Sequence, residues 1–118
     1  MTLREKQSAF VVLISRLIQR ADQLGYELTF GEVYRTPEQA ALNAKHGVGI
    51  ANSLHTKRLA VDFNLFQKGI WLNRSEDFKP LGEYWESLST ADLKCCWGGR
   101  FASLPDGNHF SIEHEGVR

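Results

Sequence analysis

The sequence has 118 residues, of which 42% are apolar, and its 14 basic residues balance its 14 acidic ones. This length is typical of a single domain, residues 1–118, and the apolar fraction excludes a disordered chain. Neutral net charge argues against a nucleic-acid binder with a broad basic surface. No run approaches the ~20 apolar residues of a membrane span, so we expect neither a nucleic-acid partner nor a membrane anchor.

The first segment has the pattern of a long amphipathic helix. Thr2 and Glu5 have the spacing of a capping box, and Gly25 suits a C-terminal stop. Apolar residues recur between them at steps that suit one helical face: Leu3, Phe10, Leu13, Leu17, Ala21 and Leu24. Arg16 and Arg20 interrupt the apolar patch, so we expect no signal peptide and a chain made in the cytoplasm.

Two strands and a short helix follow. Residues 26–35 are rich in aromatic and β-branched side chains, which predicts a strand bent at Gly31. Thr36 and Pro37 begin a second helix that ends near Gly47. Residues 60–66 alternate, with Val61, Phe63 and Leu65 on one face and Ala60, Asp62, Asn64 and Phe66 on the other.

The C-terminal half is more broken. We expect a loop over residues 67–79, a helix over 80–88, a glycine turn over 95–101 and a turn into a last strand over 106–113. The order of helices and strands predicts an α+β fold, with a small antiparallel sheet flanked by helices.

Asp62 is a carboxylate inside an otherwise apolar strand, which is costly unless a positive or hydrogen-bonding group compensates it. His55 precedes it and His109 follows in the last strand. Two histidines and one carboxylate form the ligand set of many catalytic zinc sites, which leave a fourth position to water. Asp106, three residues before His109, is a candidate for proton transfer.

Each of these residues also has a simpler interpretation. His55 and His109 could be ordinary surface or core imidazoles, and Asp106 in Pro-Asp-Gly-Asn is a common turn residue. His46 and His114 are weaker candidates for metal binding, since neither lies in a motif. Cys95 and Cys96 are adjacent, too close for an ordinary disulfide, and are read as two free thiols.

Several motifs together resemble the LAS-type zinc peptidases. They are Ser53-Leu54-His55 with Asp62 seven residues after the histidine, Trp97-Gly98-Gly99-Arg100-Phe101, Asp106-x-x-His109-Phe110, and the upstream Tyr34-Arg35-Thr36-Pro37-Glu38-Gln39. This family comprises D-alanyl-D-alanine carboxypeptidases, vancomycin-resistance D,D-dipeptidases and phage L-alanyl-D-glutamate endopeptidases, which cut peptidoglycan stem peptides. The resemblance extends over about residues 30–113.

The resemblance implies a hedgehog/D,D-peptidase-like fold and a set of roles. His55, Asp62 and His109 would be ligands of Zn²⁺, and Asp106 would be the general base and acid. Arg35 would bind substrate or stabilise the oxyanion, while Ser53 would take part in substrate binding or support the site by hydrogen bonding. Arg58 departs from the pattern, because the family usually has glycine three residues after the first histidine.

The function expected from the resemblance is zinc-dependent hydrolysis of a peptidoglycan stem peptide at the L-alanyl-D-glutamate bond. The setting we expect is a phage endolysin, probable only as a monomer and released by a holin from the host cytoplasm to the periplasmic wall. A D-alanyl-D-alanine carboxypeptidase is the alternative within the family. A non-catalytic cell-wall-binding module of the same fold is the alternative outside catalysis.

Overall fold

The computed structural model describes residues 1–118. Its helices are α1 (Leu3–Gln23), α2 (Pro37–Lys45) and α3 (Lys79–Ser87), and its strands are β1 (Glu27–Phe30), β2 (Ala60–Gln67), β3 (Ile70–Leu72), β4 (Cys95–Trp97) and β5 (His109–Ile112). Three short 3₁₀ turns cover Leu54–Lys57, Ser75–Phe78 and Gly98–Arg100.

The strands form one antiparallel sheet organised around β2. The order is β1-β2-β5-β4, and β3 also pairs with β2. β5 pairs with the first half of β2, and β3 pairs with its second half. The expected α+β fold with a small antiparallel sheet is therefore confirmed.

Helix α1 begins as its sequence predicts. The Thr2 hydroxyl accepts a hydrogen bond from the Glu5 backbone N–H at 3.1 Å, and the Glu5 carboxylate accepts one from the Thr2 N–H at 3.0 Å. Its inner face buries Phe10, Leu13 and Leu17, among others. No helix of the protein combines the length and apolar character needed to cross a membrane.

The core lies between this helical side and one face of the sheet. Val61, Phe63 and Leu65 of β2 are each at most 2% exposed, in agreement with the alternating pattern. Trp85 of α3 packs edge-on against Phe110 of β5, and its indole N–H donates to backbone carbonyls of the sheet. The opposite face of β2 carries Asp62 and is left for the site.

Three local predictions are wrong. Residues 67–79 are not a simple loop, because Lys68 and Gly69 both adopt positive φ and form the tight turn that leads into β3. Cys95–Trp97 forms a strand rather than a turn, because β5 supplies its backbone partners. The strand predicted over 26–35 ends at Phe30, and residues beyond it form a loop over the site.

Candidate metal centre

Strand pairing brings two of the three predicted ligands together. Asp62 of β2 stands directly opposite His109 of β5, so both side chains project from the same face. His109 Nδ1 lies 3.4 Å from Asp62 Oδ1. This pairing joins residues that are far apart in the sequence.

The third predicted ligand comes from the turn that precedes β2. The Ser53 hydroxyl accepts a hydrogen bond from the His55 backbone N–H at 3.3 Å, which fixes the start of this turn. His55 Nε2 then lies 3.4 Å from Asp62 Oδ2. On the other side of the ring, Nδ1 is 3.4 Å from the carbonyl oxygen of Val33, a partner that orients a ligating imidazole.

The arrangement fits a divalent metal ion. One potential ligand atom from each of His55, Asp62 and His109 lies within 4.8 Å of the others. Ligand atoms around a tetrahedral zinc stand roughly 3.4 Å apart, given the usual bond lengths. Asp62 Oδ1 and His109 Nε2 are buried without a hydrogen-bond partner, and the carboxylate oxygen is one that a cation would compensate.

The protonation of this cluster follows from its own contacts. Burial acts to raise the pKa of Asp62, but hydrogen bonds from His109 and His55 outweigh it and hold the pKa at about 2. Burial acts to lower the pKa of His55, but the Asp62 carboxylate reverses this and raises it overall. Asp62 is therefore an anion at neutral pH, as a metal ligand must be.

Asp106 is held beside this cluster by a close backbone approach. Its N–H donates to the carbonyl oxygen of Gly98 at 2.9 Å, and its own carbonyl accepts from the His109 N–H at 3.1 Å. A Cβ on Gly98 would lie 2.0 Å from the Asp106 carbonyl oxygen, so only glycine fits at that position. The 3₁₀ turn at Gly98 thereby fixes the backbone of Asp106.

The carboxylate of Asp106 is exposed to solvent in the cleft, yet neighbouring protein atoms remove part of its hydration. This partial burial, reinforced by the negative charge of Asp62, raises the pKa of Asp106. A carboxylate with a raised pKa is a better proton acceptor than an ordinary one.

Arg35 reaches the cleft from the loop after β1. Its guanidinium contacts the Glu32 carboxylate, and its backbone N–H donates to the carbonyl oxygen of His55 at 3.2 Å. Its Nε is buried and has no hydrogen-bond partner, so one donor remains for a ligand. Glu32 was not predicted from the sequence; its position three residues before Arg35 was the available signal.

All six predicted site residues line one cleft of about 820 Å³: Arg35, Ser53, His55, Asp62, Asp106 and His109. The weaker candidates lie outside it. His46 ends α2 and is exposed, whereas His114 Nδ1 lies 3.1 Å from the Lys6 ammonium.

Arg58, which stands where glycine was expected, keeps the backbone conformation that favours glycine. Its φ is 55°, in the left-handed region. Its guanidinium lies over the Tyr34 ring, 3.9 Å from the centroid. The substitution therefore leaves the turn intact and adds a contact to the loop that carries Arg35.

Two histidines and an aspartate, with a further carboxylate beside them in an open cleft, are the elements of a mononuclear metallohydrolase site. A family model described as D-alanyl-D-alanine carboxypeptidase, of the M15 peptidases, matches residues 39–112. The chain belongs to this peptidase family.

Among solved structures, the chain is similar to the L-Ala D-Glu endopeptidase ChiX of Serratia marcescens. The two are 19% identical, with a TM-score of 0.63, and the match covers 86% of this chain and 77% of that one. None of the curated protein sequences matches the chain. The similarity supports the fold described above.

Proposed function

We propose that this protein is a zinc-dependent peptidoglycan peptidase that hydrolyses the L-alanyl-D-glutamate bond of the stem peptide. The observation that carries the proposal is the convergence of His55, Asp62 and His109 with Asp106 in one cleft. When bound by the two imidazoles and the carboxylate, zinc would acidify a water molecule and polarise the scissile carbonyl.

The remaining chemistry belongs to the chain's own side chains. Asp106, exposed beside the cluster, would take the proton of the attacking water and return it to the leaving amine. Arg35, whose Nε is free of protein partners, would donate a hydrogen bond to the oxygen on which negative charge develops, or to a substrate carboxylate. Ser53 would act chiefly by holding the His55 turn, with substrate contact as a further role.

The choice of bond is supported by the similarity in fold to an L-Ala D-Glu endopeptidase. A D-alanyl-D-alanine carboxypeptidase is the second candidate, favoured by the description of the matching family model. A non-catalytic wall-binding module is less well supported, because a structural metal site has no need of a carboxylate at the position of Asp106.

Digestion of purified Gram-negative peptidoglycan, with and without a chelator, tests the proposal. We expect chelator-sensitive release of stem peptides that leave L-alanine on the sugar, detected by mass spectrometry. Loss of only the terminal D-alanine would replace the proposal with the carboxypeptidase. Absence of any chelator-sensitive product would favour the binding module.

Asp106→Ala separates proton transfer from metal binding. We expect this variant to keep one zinc per chain, by elemental analysis, while its rate falls by about 10²–10⁴. His55→Ala should lose the zinc, and Asp92→Ala, at an exposed site away from the cleft, should change neither. Full activity in Asp106→Ala would refute its assignment as base.

We also propose that the protein serves as a phage-type lysin, made in the host cytoplasm, monomeric and released to the wall by a holin. Expression in a Gram-negative host tests this role. Lysis should require co-expression of a holin, and the Asp106→Ala variant should not lyse the cells. Lysis by that variant at the wild-type rate would exclude wall hydrolysis as its cause.

A further inference from the structure

A second, smaller hollow lies next to the candidate metal centre. It opens on the edge of β2 between the part paired with β5 and the part paired with β3. At this gap the Phe63 N–H donates to the carbonyl oxygen of Asn108 at 3.0 Å. The hollow has a volume of about 280 Å³, and Pro105 and Asp106 line both it and the larger cleft.

The lining of this hollow is amide-rich and almost uncharged. It includes Asn64, Asn73, Asn108 and the indole of Trp71, and Asp106 is its one charged residue. The Asn64 amide donates to the Thr29 hydroxyl at 3.1 Å, whereas the amides of Asn73 and Asn108 and the indole N–H make no hydrogen bond within the protein. Several donors and acceptors are therefore free to bind a ligand.

Trp71 is unusual because it is large, apolar and 59% exposed. It lies on the three-residue strand β3, where it pairs with Phe66 and so shares the face of β2 that carries Asn64 and Asp62. The two other tryptophans, Trp85 and Trp97, are buried in the core. An exposed indole beside free amides offers a flat apolar surface and hydrogen bonds to one ligand.

These features suit a neutral, hydroxylated ring better than a charged or extended peptide. A strongly charged ligand would need basic or acidic partners, which the lining lacks apart from Asp106. An added peptide strand would need a free strand edge, and at Phe63 that N–H is already engaged. A pyranose offers one apolar face and a rim of hydroxyl and acetamido groups, which match the indole and the amides.

We propose that this hollow binds an N-acetylated amino sugar of the glycan strand, next to the scissile bond. The inference rests on the proposed function and deepens it, because L-alanine is the stem residue attached to the sugar. Asp62 and Asn64 lie two positions apart on one face, about 7 Å along the strand. That spacing suits a bond close to the sugar rather than the D-alanyl-D-alanine bond at the far end of the stem.

The test compares two substrates that differ only in the sugar. One is a stem peptide carrying its N-acetylated disaccharide, and the other is the same peptide without sugar. We expect wild-type kcat/KM to be about tenfold higher for the sugar-bearing substrate. Trp71→Ala and Asn73→Ala should bring this ratio close to one, while Trp71→Phe, which keeps a flat ring, should retain part of it.

Ile70→Ala is the matched control, because Ile70 is an exposed neighbour on the same strand that faces the other side. It should keep the wild-type ratio. An independent titration with a tetramer of N-acetylglucosamine, followed by the NMR signal of the Trp71 indole, measures sugar binding without hydrolysis. We expect a saturable shift that Asn73→Ala weakens and Ile70→Ala does not.

The outcomes separate the two proposals. Equal hydrolysis of both substrates, with no shift of the Trp71 signal, would overturn the sugar site and leave the peptidase proposal standing. A saturable, Asn73-dependent shift without hydrolysis of either substrate would support the sugar site and refute the proposed hydrolysis. A sugar preference that persists in both Trp71→Ala and Asn73→Ala would place sugar recognition elsewhere and overturn the inference.

Discussion

The two faces of β2 divide stability from chemistry within one strand. The inner face buries Val61, Phe63 and Leu65 in the apolar core. The outer face carries Asp62, which has a buried oxygen without a hydrogen-bond partner, and Asn64, which is half-buried beside a hollow. Alternation lets neighbouring residues serve opposite purposes, so the outer face can carry uncompensated polar groups that the inner face could not tolerate.

The largest effect on stability should come from the inner face. Phe63→Ala removes a ring that stacks on Phe30 and packs against Phe110, and it should cost about 3–5 kcal/mol in free energy of unfolding. Its neighbour Asn64→Ala removes one exposed hydrogen bond and should cost about 1 kcal/mol. Urea denaturation measures both values, and similar costs would contradict the division between the faces.

Gly98→Ala should disturb the outer face from a distance. The added Cβ would meet the Asp106 carbonyl oxygen, so the loop must move and the free energy of unfolding should fall by about 3 kcal/mol. Hydrolysis should fall as well, since Asp106 is displaced. Gly25→Ala, at a positive-φ position with open space around it, is the control that should reduce stability and leave activity unchanged.

Cys95 gives the buried side a pH dependence. Burial raises the pKa of this thiol from 9.0 to about 11, so the unfolded chain loses the proton at lower pH than the folded protein does. The corresponding stability, about 2 kcal/mol, is present below pH 9 and is lost as the pH rises toward 11. Cys95→Ala should therefore show a shallower decline in Tm over this range, and an identical decline would exclude the thiol as a cause.

Arg58 should have the smallest effect, and its sign depends on the replacement. Arg58→Ala loses the contact with the Tyr34 ring but keeps the left-handed backbone, so it should cost about 1 kcal/mol. Arg58→Gly loses the same contact and relieves a backbone strain of about 1 kcal/mol, so its Tm should be close to that of the wild type. A Tm for Arg58→Ala equal to that of the wild type would show that the ring contact contributes nothing.

Local signals were sufficient for the elements that depend on residues a turn or two apart. The Thr2–Glu5 box and the apolar spacing of α1 predicted that helix, and alternation predicted which residues of β2 face the core. The candidate ligands were also recognisable from residue type and motif. These features are encoded by neighbours along the chain, so they can be read without the fold.

Only the tertiary structure decided how the site is assembled. The register that sets Asp62 opposite His109, the contact of Gly98 with Asp106 and the pairing of Glu32 with Arg35 depend on how separate segments pack. Strand β4 also exists because β5 supplies its backbone partners, although its own residues suggested a turn. The sequence alone thus determined the helices, the alternating strand and the residue types of the site, whereas packing between distant segments determined their geometry, because such contacts have no local pattern.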